Sequence, residues 1–389
     1  MINEVKKIAE NLKPQIVQLS NYIYDNPELG YEEFKGCKAH VDLLKKHDFT
    51  VEEEYMNIKT AFKAVYDSKK PGPVIAYLSE YDALPGIGHG CGHNLLGATN
   101  TGAAIALSML LKQKALAGKV LVYGTPAEET SGAKVAMADN GGFEEVDIAL
   151  EAHPGSNHSK SGKSLAMEAI EFTFKGKTSH AAAAPEKGIN ALDAAIQTFV
   201  NINALRQHIL SSSRIHGVII EGGKAANIVP DLAIAQFYVR ATTKTYLNEL
   251  VNKVKKCAEA GALATGAKLE VRNYEASYDN LVTNEKLSNT FTNRLRDMGV
   301  TDINEARESF GSLDIGNVSQ LVPTIHPYFK ICHEDIPAHT VEFRDATKTQ
   351  AAYDSMVDTI GALVLTAYDI ITDTSLLDEI KAEFKNTEK

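Results

Sequence analysis

From Glu4 to Tyr24, apolar residues recur every three to four positions, a spacing that predicts an amphipathic helix. The pattern stops at Asn26-Pro27, because the residue before a proline disfavours helical backbone. Tyr31 to His47 predicts a second amphipathic helix, and Val74 to Leu78, bounded by Pro71-Gly72-Pro73, predicts a buried strand. A glycine-dense loop then runs from Gly86 to Asn94, followed by a small-residue helix from Ala98 to Gln113. Next come a strand from Val120 to Tyr123, a Glu-rich turn, a helix from Gly132 and a third strand from Ile148 to Leu150. Strands alternating with helices predict an α/β sheet that is at least partly parallel.

The middle of the chain changes character. Ala166 to Lys175 alternates apolar and polar positions, as a half-exposed strand does. A helix is expected over Ile189 to Ile209, strands over Ile215 to Ile220 and Leu232 to Val239, a helix over Leu247 to Ala264 and a strand over Leu269 to Tyr274. That β-α-β-β-α-β order is the split-βαβ pattern of a ferredoxin-like α+β domain. Beyond it, Glu285 to Met298 and Ala351 to Ile371 predict helices, the second one terminal, and Val322 to Ile331 holds strand. The resulting parse is one α/β domain built from 1–165 and 280–389 and interrupted by a small domain at 166–279.

Composition narrows the function classes. Among 389 residues, 44% are hydrophobic and 23% charged, the mix of a soluble globular protein. Forty Lys and Arg against fifty Asp and Glu leave a net charge of −10, which would repel a phosphate backbone and argues against nucleic-acid binding. The N-terminus is charged and lacks an apolar signal region, and apolar stretches such as Gly102 to Leu111 fall short of the ~20 residues that span a bilayer. No membrane association is expected. Cys37, Cys91, Cys257 and Cys332 lie far apart, so reduced thiols in a cytoplasm are expected rather than a disulfide framework.

Side chains of the kinds that bind metals gather in four places. They are Cys91-Gly92-His93 in the glycine-rich loop, Glu128-Glu129 after the Val120–Tyr123 strand, His153 after the third strand, and His339, with His326 and His333 upstream. The first three follow strand ends, where open α/β sheets collect their ligands. Each has a plainer explanation: a buried thiol for Cys91, a helix-start residue for His93, a favourable dipole interaction for the glutamates, a surface turn for His153. A thiolate, imidazoles and a carboxylate nonetheless make a good zinc set.

Four segments carry a resemblance. HGCGHN at His89–Asn94, TPAEETSGAK at Thr125–Lys134, EAHPG at Glu151–Gly155 and GKTSHAAAAPEKGINALDA at Gly176–Ala194 occur in the order of a known set. They resemble the amidohydrolase branch of the aminoacylase/carboxypeptidase metallopeptidase family, and the similarity spans nearly the whole chain. The resemblance implies a zinc-peptidase-like catalytic domain with a mostly parallel sheet, an inserted dimerisation domain, and two divalent metals per chain, zinc first and manganese or cobalt as alternatives. It assigns Cys91, His93, Glu129 and His153 as metal ligands, with His339 in HTVEF as the last and His326 in HPYF as the runner-up. Glu128 matches the general base. His180 matches a histidine that reaches a neighbouring subunit and stabilises the oxyanion. Asn227 in AANIVPD and Arg240 in FYVRAT match positions that bind the substrate's carboxylate or carbonyl. Where the wider family has a His-x-Asp metal motif, this chain reads Glu80-Tyr81-Asp82. That difference implies the branch that uses the Cys-Gly-His loop, with Asp82 orienting a ligand histidine.

The expected activity is therefore hydrolysis of the amide bond of small N-acyl amino acids or dipeptides, by a homodimer or homotetramer. Two other classes are weighed beside it. A cysteine hydrolase using Cys91 with His93 as base would need them to face each other from positions two residues apart, with no third orienting group. A non-catalytic metal-binding assembly protein would have no need of Glu128.

Overall fold

The computed structural model describes residues 1–306 and 311–387. Positions 307–310 and 388–389, within the expected catalytic domain, lie outside the described residues. The chain folds into two compact units, one of 1–163, 281–306 and 314–387, the other of 164–280 and 311–313.

The first unit is a six-stranded sheet with helices packed on it. Four strands run parallel, in the order Lys119–Gly124, Val74–Ser79, Ile148–Leu150 and Thr324–Ile325. Phe62–Asp67 and Thr50–Glu53 extend one edge antiparallel. These two strands are not expected from the hydrophobic pattern; Thr-Val-Glu-Glu is mostly exposed and has no apolar face to reveal it. The helix Ile2–Asp25 buries Val5, Ile8, Leu12, Ile16, Leu19 and Ile23 along one stripe, as its periodicity requires.

The central helix, His93–Lys114, is buried on almost every side. It starts five residues before the expected Ala98, because Gly92 takes a left-handed φ of +86° and turns the chain directly into helix at His93. Its small residues let neighbours approach closely. A methyl at Gly102 would lie 2.9 Å from Ile360 and 3.1 Å from Ile16, and one at Gly97 would lie 2.3 Å from the carbonyl oxygen of Glu80. His93–Lys114 and Gln350–Thr372 are long and apolar enough to cross a membrane, but 94% and 67% of their most apolar windows are buried within the protein. They are core helices. A further helix, Thr374–Asn386, follows the one expected to be terminal.

The second unit is a four-stranded antiparallel sheet with two helices on it, Ala191–Leu205 and Lys244–Thr265. Its spatial order is Lys268–Asn273, Ala166–Lys175, Leu232–Ala241, Arg214–Glu221. Numbered along the chain this is 4-1-3-2, produced by a βαββαβ connectivity, the ferredoxin-like arrangement. Phe172, Phe174, Phe237, Leu247, Leu250 and Val254 fill its core.

The close approach at Gly97 yields a test. Gly97→Ala forces the central helix away from the strand end that carries Glu80 and Asp82, and is expected to cost about 1–3 kcal/mol. Denaturant unfolding measures it, and an unchanged midpoint would contradict the tight contact.

Candidate metal centre

Three adjacent parallel strands deliver their carboxyl ends to one edge of the first unit's sheet. Val74–Ser79 runs into Glu80-Tyr81-Asp82, Lys119–Gly124 into Thr125–Glu129, and Ile148–Leu150 into Glu151-Ala152-His153. The Cys91 loop meets them there. Gly92 has no room for a side chain: a methyl would lie 2.6 Å from Pro154 Cγ. His339 arrives from the far end of the chain with a left-handed φ of +65°, and its N–H donates to the Gly90 carbonyl at 2.9 Å.

Cys91, His93, Glu128, Glu129, His153 and His339 are brought together by this folding. Their donor atoms form three overlapping triads, each within 4.8 Å: Cys91 with His93 and His153, Cys91 with Glu129 and His339, and His93 with Glu128 and Glu129. Cys91 Sγ is 3.6 Å from His153 Nε2, and His339 Nε2 is 3.3 Å from Glu129 Oε1. His326 is buried beside them, with its ring centroid 5.4 Å from that of His153 and its Nε2 3.7 Å from Glu151 Oε2.

The surrounding groups orient these side chains. Asp82 does two jobs with one carboxylate: Oδ1 accepts the Nδ1 proton of His93 at 2.9 Å, and Oδ2 accepts the Glu129 N–H at 3.0 Å. A carboxylate can only accept here, so His93 Nδ1 carries a proton, while its Nε2 faces Glu80 Oε2 at 3.1 Å. His153 is held the same way, its Nδ1 donating to the Pro154 carbonyl at 2.7 Å. Burial, then the charge of His93, pushes His153 down to about 4, so it stays neutral and able to ligate. Burial also drives the Cys91 thiol well above its ordinary value. Burial, then Glu80, Asp314 and Glu129, hold the Glu128 carboxyl well above the carboxylate range.

Sequence reasoning missed the charges beneath the cluster. Lys134 is fully buried, with its Nζ 2.5 Å from Glu80, 2.7 Å from Asp314 and 3.5 Å from Glu151, all buried. Asp314, Glu151 and Glu80 overcome the burial that would otherwise lower its pKa. The available signal was Lys134 itself, the last residue of TPAEETSGAK, at a helix start whose other face is apolar.

These residues fit a divalent cation. Buried carboxylates outnumber Lys134; Glu80 Oε2 faces His93 Nε2 at 3.1 Å, but the buried Glu151 oxygens make no hydrogen bond and lie 3.5 Å from Lys134 Nζ and 3.7 Å from His326 Nε2. Such atoms cost free energy unless something positive satisfies them. The thiol, imidazole and carboxylate donors suit zinc.

Three of the expected site residues belong to the second unit. His180 is exposed, its Nδ1 accepting the N–H groups of Ala182 and Ala183 at 3.3 and 3.1 Å. Asn227 is also exposed, and its carbonyl accepts the Ala181 N–H at 3.0 Å, so these two segments lie side by side. Arg240 is half-buried on Leu232–Ala241, with its guanidinium 5.8 Å from the ring centroid of Tyr238.

Comparisons with known proteins agree with this architecture. Residues 165–265 match the model of a peptidase dimerisation domain. A Xaa-Arg dipeptidase of Mus musculus is 37% identical, over 94% of this chain and 88% of its own length. A p-aminobenzoyl-glutamate hydrolase chain of Escherichia coli (strain K12) is 28% identical, over 95% of this chain and 92% of its own. Among solved structures, the Bacillus subtilis YXEP protein, a dinuclear metal-binding peptidase from the M20 family, aligns over 92% of this chain and 99% of its own. Its TM-score is 0.67 at 21% identity, a likeness of fold.

Because Asp82 orients both His93 and Glu129, Asp82→Asn is expected to weaken zinc binding by about 10–100-fold. Competition against a chromophoric chelator measures this, and wild-type affinity in the variant would contradict the role.

Proposed function

The chain belongs to the M20 metallopeptidase family, and from that premise we propose that it hydrolyses dipeptides or small N-acyl amino acids at a centre holding two divalent metals. It is a metal-dependent hydrolase of amide or peptide bonds, and its relatives include a dipeptidase and an aminobenzoyl-glutamate hydrolase. The observation that carries the two-metal reading is that Cys91 belongs to two donor triads at once, one with His93 and His153 and one with Glu129 and His339. Each triad would hold one ion, with Cys91 contributing to both sets of donors. His339 rather than His326 is assigned as the last ligand, since His339 stands in a triad with Cys91 and Glu129. Zinc is the first candidate, with manganese or cobalt as alternatives.

Metals bound there would polarise the scissile carbonyl and lower the pKa of water. Glu128 takes the proton from the attacking water and returns it to the departing nitrogen. Its neighbour Glu129 is occupied by His339 and serves as ligand, so adjacent carboxylates have separate roles. From the resemblance, Arg240 and Asn227 bind the substrate's carboxylate or carbonyl; the planar guanidinium fork suits a carboxylate. His180 of one protomer donates to the oxyanion in its partner, which makes a dimer the minimum assembly. The cysteine-hydrolase alternative loses support, because burial raises the Cys91 thiol where an activated nucleophile needs it lowered.

The relatives suggest two substrate classes to try first: dipeptides with a basic C-terminal residue, and N-acyl glutamates. Wild type should hydrolyse a member of this panel, lose activity in EDTA and regain it with zinc. Glu128→Gln should lose about 10²–10⁴-fold in kcat while keeping its metal content, measured by mass spectrometry. A fully active Glu128→Gln, or activity indifferent to the chelator, would contradict the reading.

A further inference from the structure

The glutamate turn depends on a residue far from it in sequence. Ala127, immediately before Glu128, has a left-handed φ of +64°, a conformation that the Cβ of an L-residue disfavours. Something must hold it there. Its N–H donates to Glu33 Oε1 at 2.8 Å, and the other oxygen, Oε2, accepts the Thr60 hydroxyl at 2.9 Å. Glu33 is fully buried.

Glu33 is also the N-cap residue of the helix Phe34–Lys46, yet its side chain makes no cap bond. Glu28 does that instead, its Oε2 accepting the N–H groups of Lys35 and Gly36 at 2.8 and 3.0 Å. The Glu33 carboxylate is thereby diverted from its own helix to the backbone of Ala127. Burial, then Asp82, push its carboxyl up to about 7, a measure of what keeping it inside costs. The segment around it packs on the same turn. A methyl at Gly30 would lie 2.7 Å from Thr130 Oγ1 and 3.0 Å from Ala127 Cβ, and the Tyr31 hydroxyl donates to the Ser131 carbonyl at 2.7 Å.

We propose that Glu33 is a positioning residue for the hydrolysis, holding Ala127 in the left-handed conformation that aims Glu128 as base and Glu129 as ligand. This rests on the roles given to those two residues above. Glu33 acts through the backbone and touches neither substrate nor metal.

The test compares Glu33→Ala, Glu33→Gln and Glu128→Gln in the metal-loaded enzyme, by kcat, KM, metal content and thermal melting. Glu33→Ala is expected to lose about 100-fold in kcat, the scale of a 1 Å misplacement, with KM changed less than about twofold. Glu33→Gln keeps an acceptor for the Ala127 N–H and should recover most of kcat. A merely structural role would lower melting temperature in both variants without separating kcat from KM. Should Glu33→Ala fail to fold, Thr60→Val, which frees the other carboxylate oxygen, should give a smaller kcat loss at constant KM. Unchanged kcat in a folded Glu33→Ala or Thr60→Val, beside an inactive Glu128→Gln, would overturn this proposal alone. Full activity in Glu128→Gln would overturn the base assignment and this proposal with it.

Discussion

Burying carboxylates together is the constraint on which the site depends. Glu80, Asp82, Glu151 and Asp314 lie inside the first unit with Lys134 as their buried lysine, and Glu128 and Glu129 add to them at the rim. Negative charges this close cannot all remain ionised in a poorly solvated interior without positive partners. Lys134 holds Glu80 down to about 2, while Asp314 is left at about 6 and Glu151 is raised well above its ordinary value. Lys134 therefore satisfies only part of the cluster. Divalent cations at the Cys91 triads would supply the rest, and the same field would hold Cys91 as thiolate against the burial that otherwise protonates it.

The fold creates that constraint by geometry. Adjacent parallel strands end side by side, so the residues that follow them have to share one small volume. Close packing then removes alternatives. Gly97 lets the central helix touch the Glu80 carbonyl, Gly92 packs against Pro154 and turns the chain into helix at His93, and the left-handed residues Ala127 and His339 aim side chains that regular backbone would send elsewhere. Each is locally costly, and the packing around each is what sustains it.

Much of this was legible in the sequence. The three parallel core strands read out because short apolar runs lay between turn signals, and the ferredoxin-like unit because Ala166–Lys175 and its partners alternated cleanly. Cys91, His93, Glu128, Glu129 and His153 stood out because each followed a strand or a glycine-rich turn. The strand Thr50–Glu53 was invisible because an exposed edge needs no apolar face. Glu33, Glu80, Lys134 and Asp314 were missed for a different reason. Charged residues at helix starts and strand ends are ordinarily solvated, and only long-range packing, such as Glu33 reaching Ala127 across 94 positions, shows these to be internal.

Anomalous diffraction at the zinc edge, from crystals of the zinc-loaded enzyme, reads the metal centre directly. Two peaks are predicted, with Cys91 Sγ neighbouring both, one also beside His93 and His153 and the other beside Glu129 and His339. A single peak, or peaks that do not include Cys91, would contradict a two-metal centre built on that thiolate.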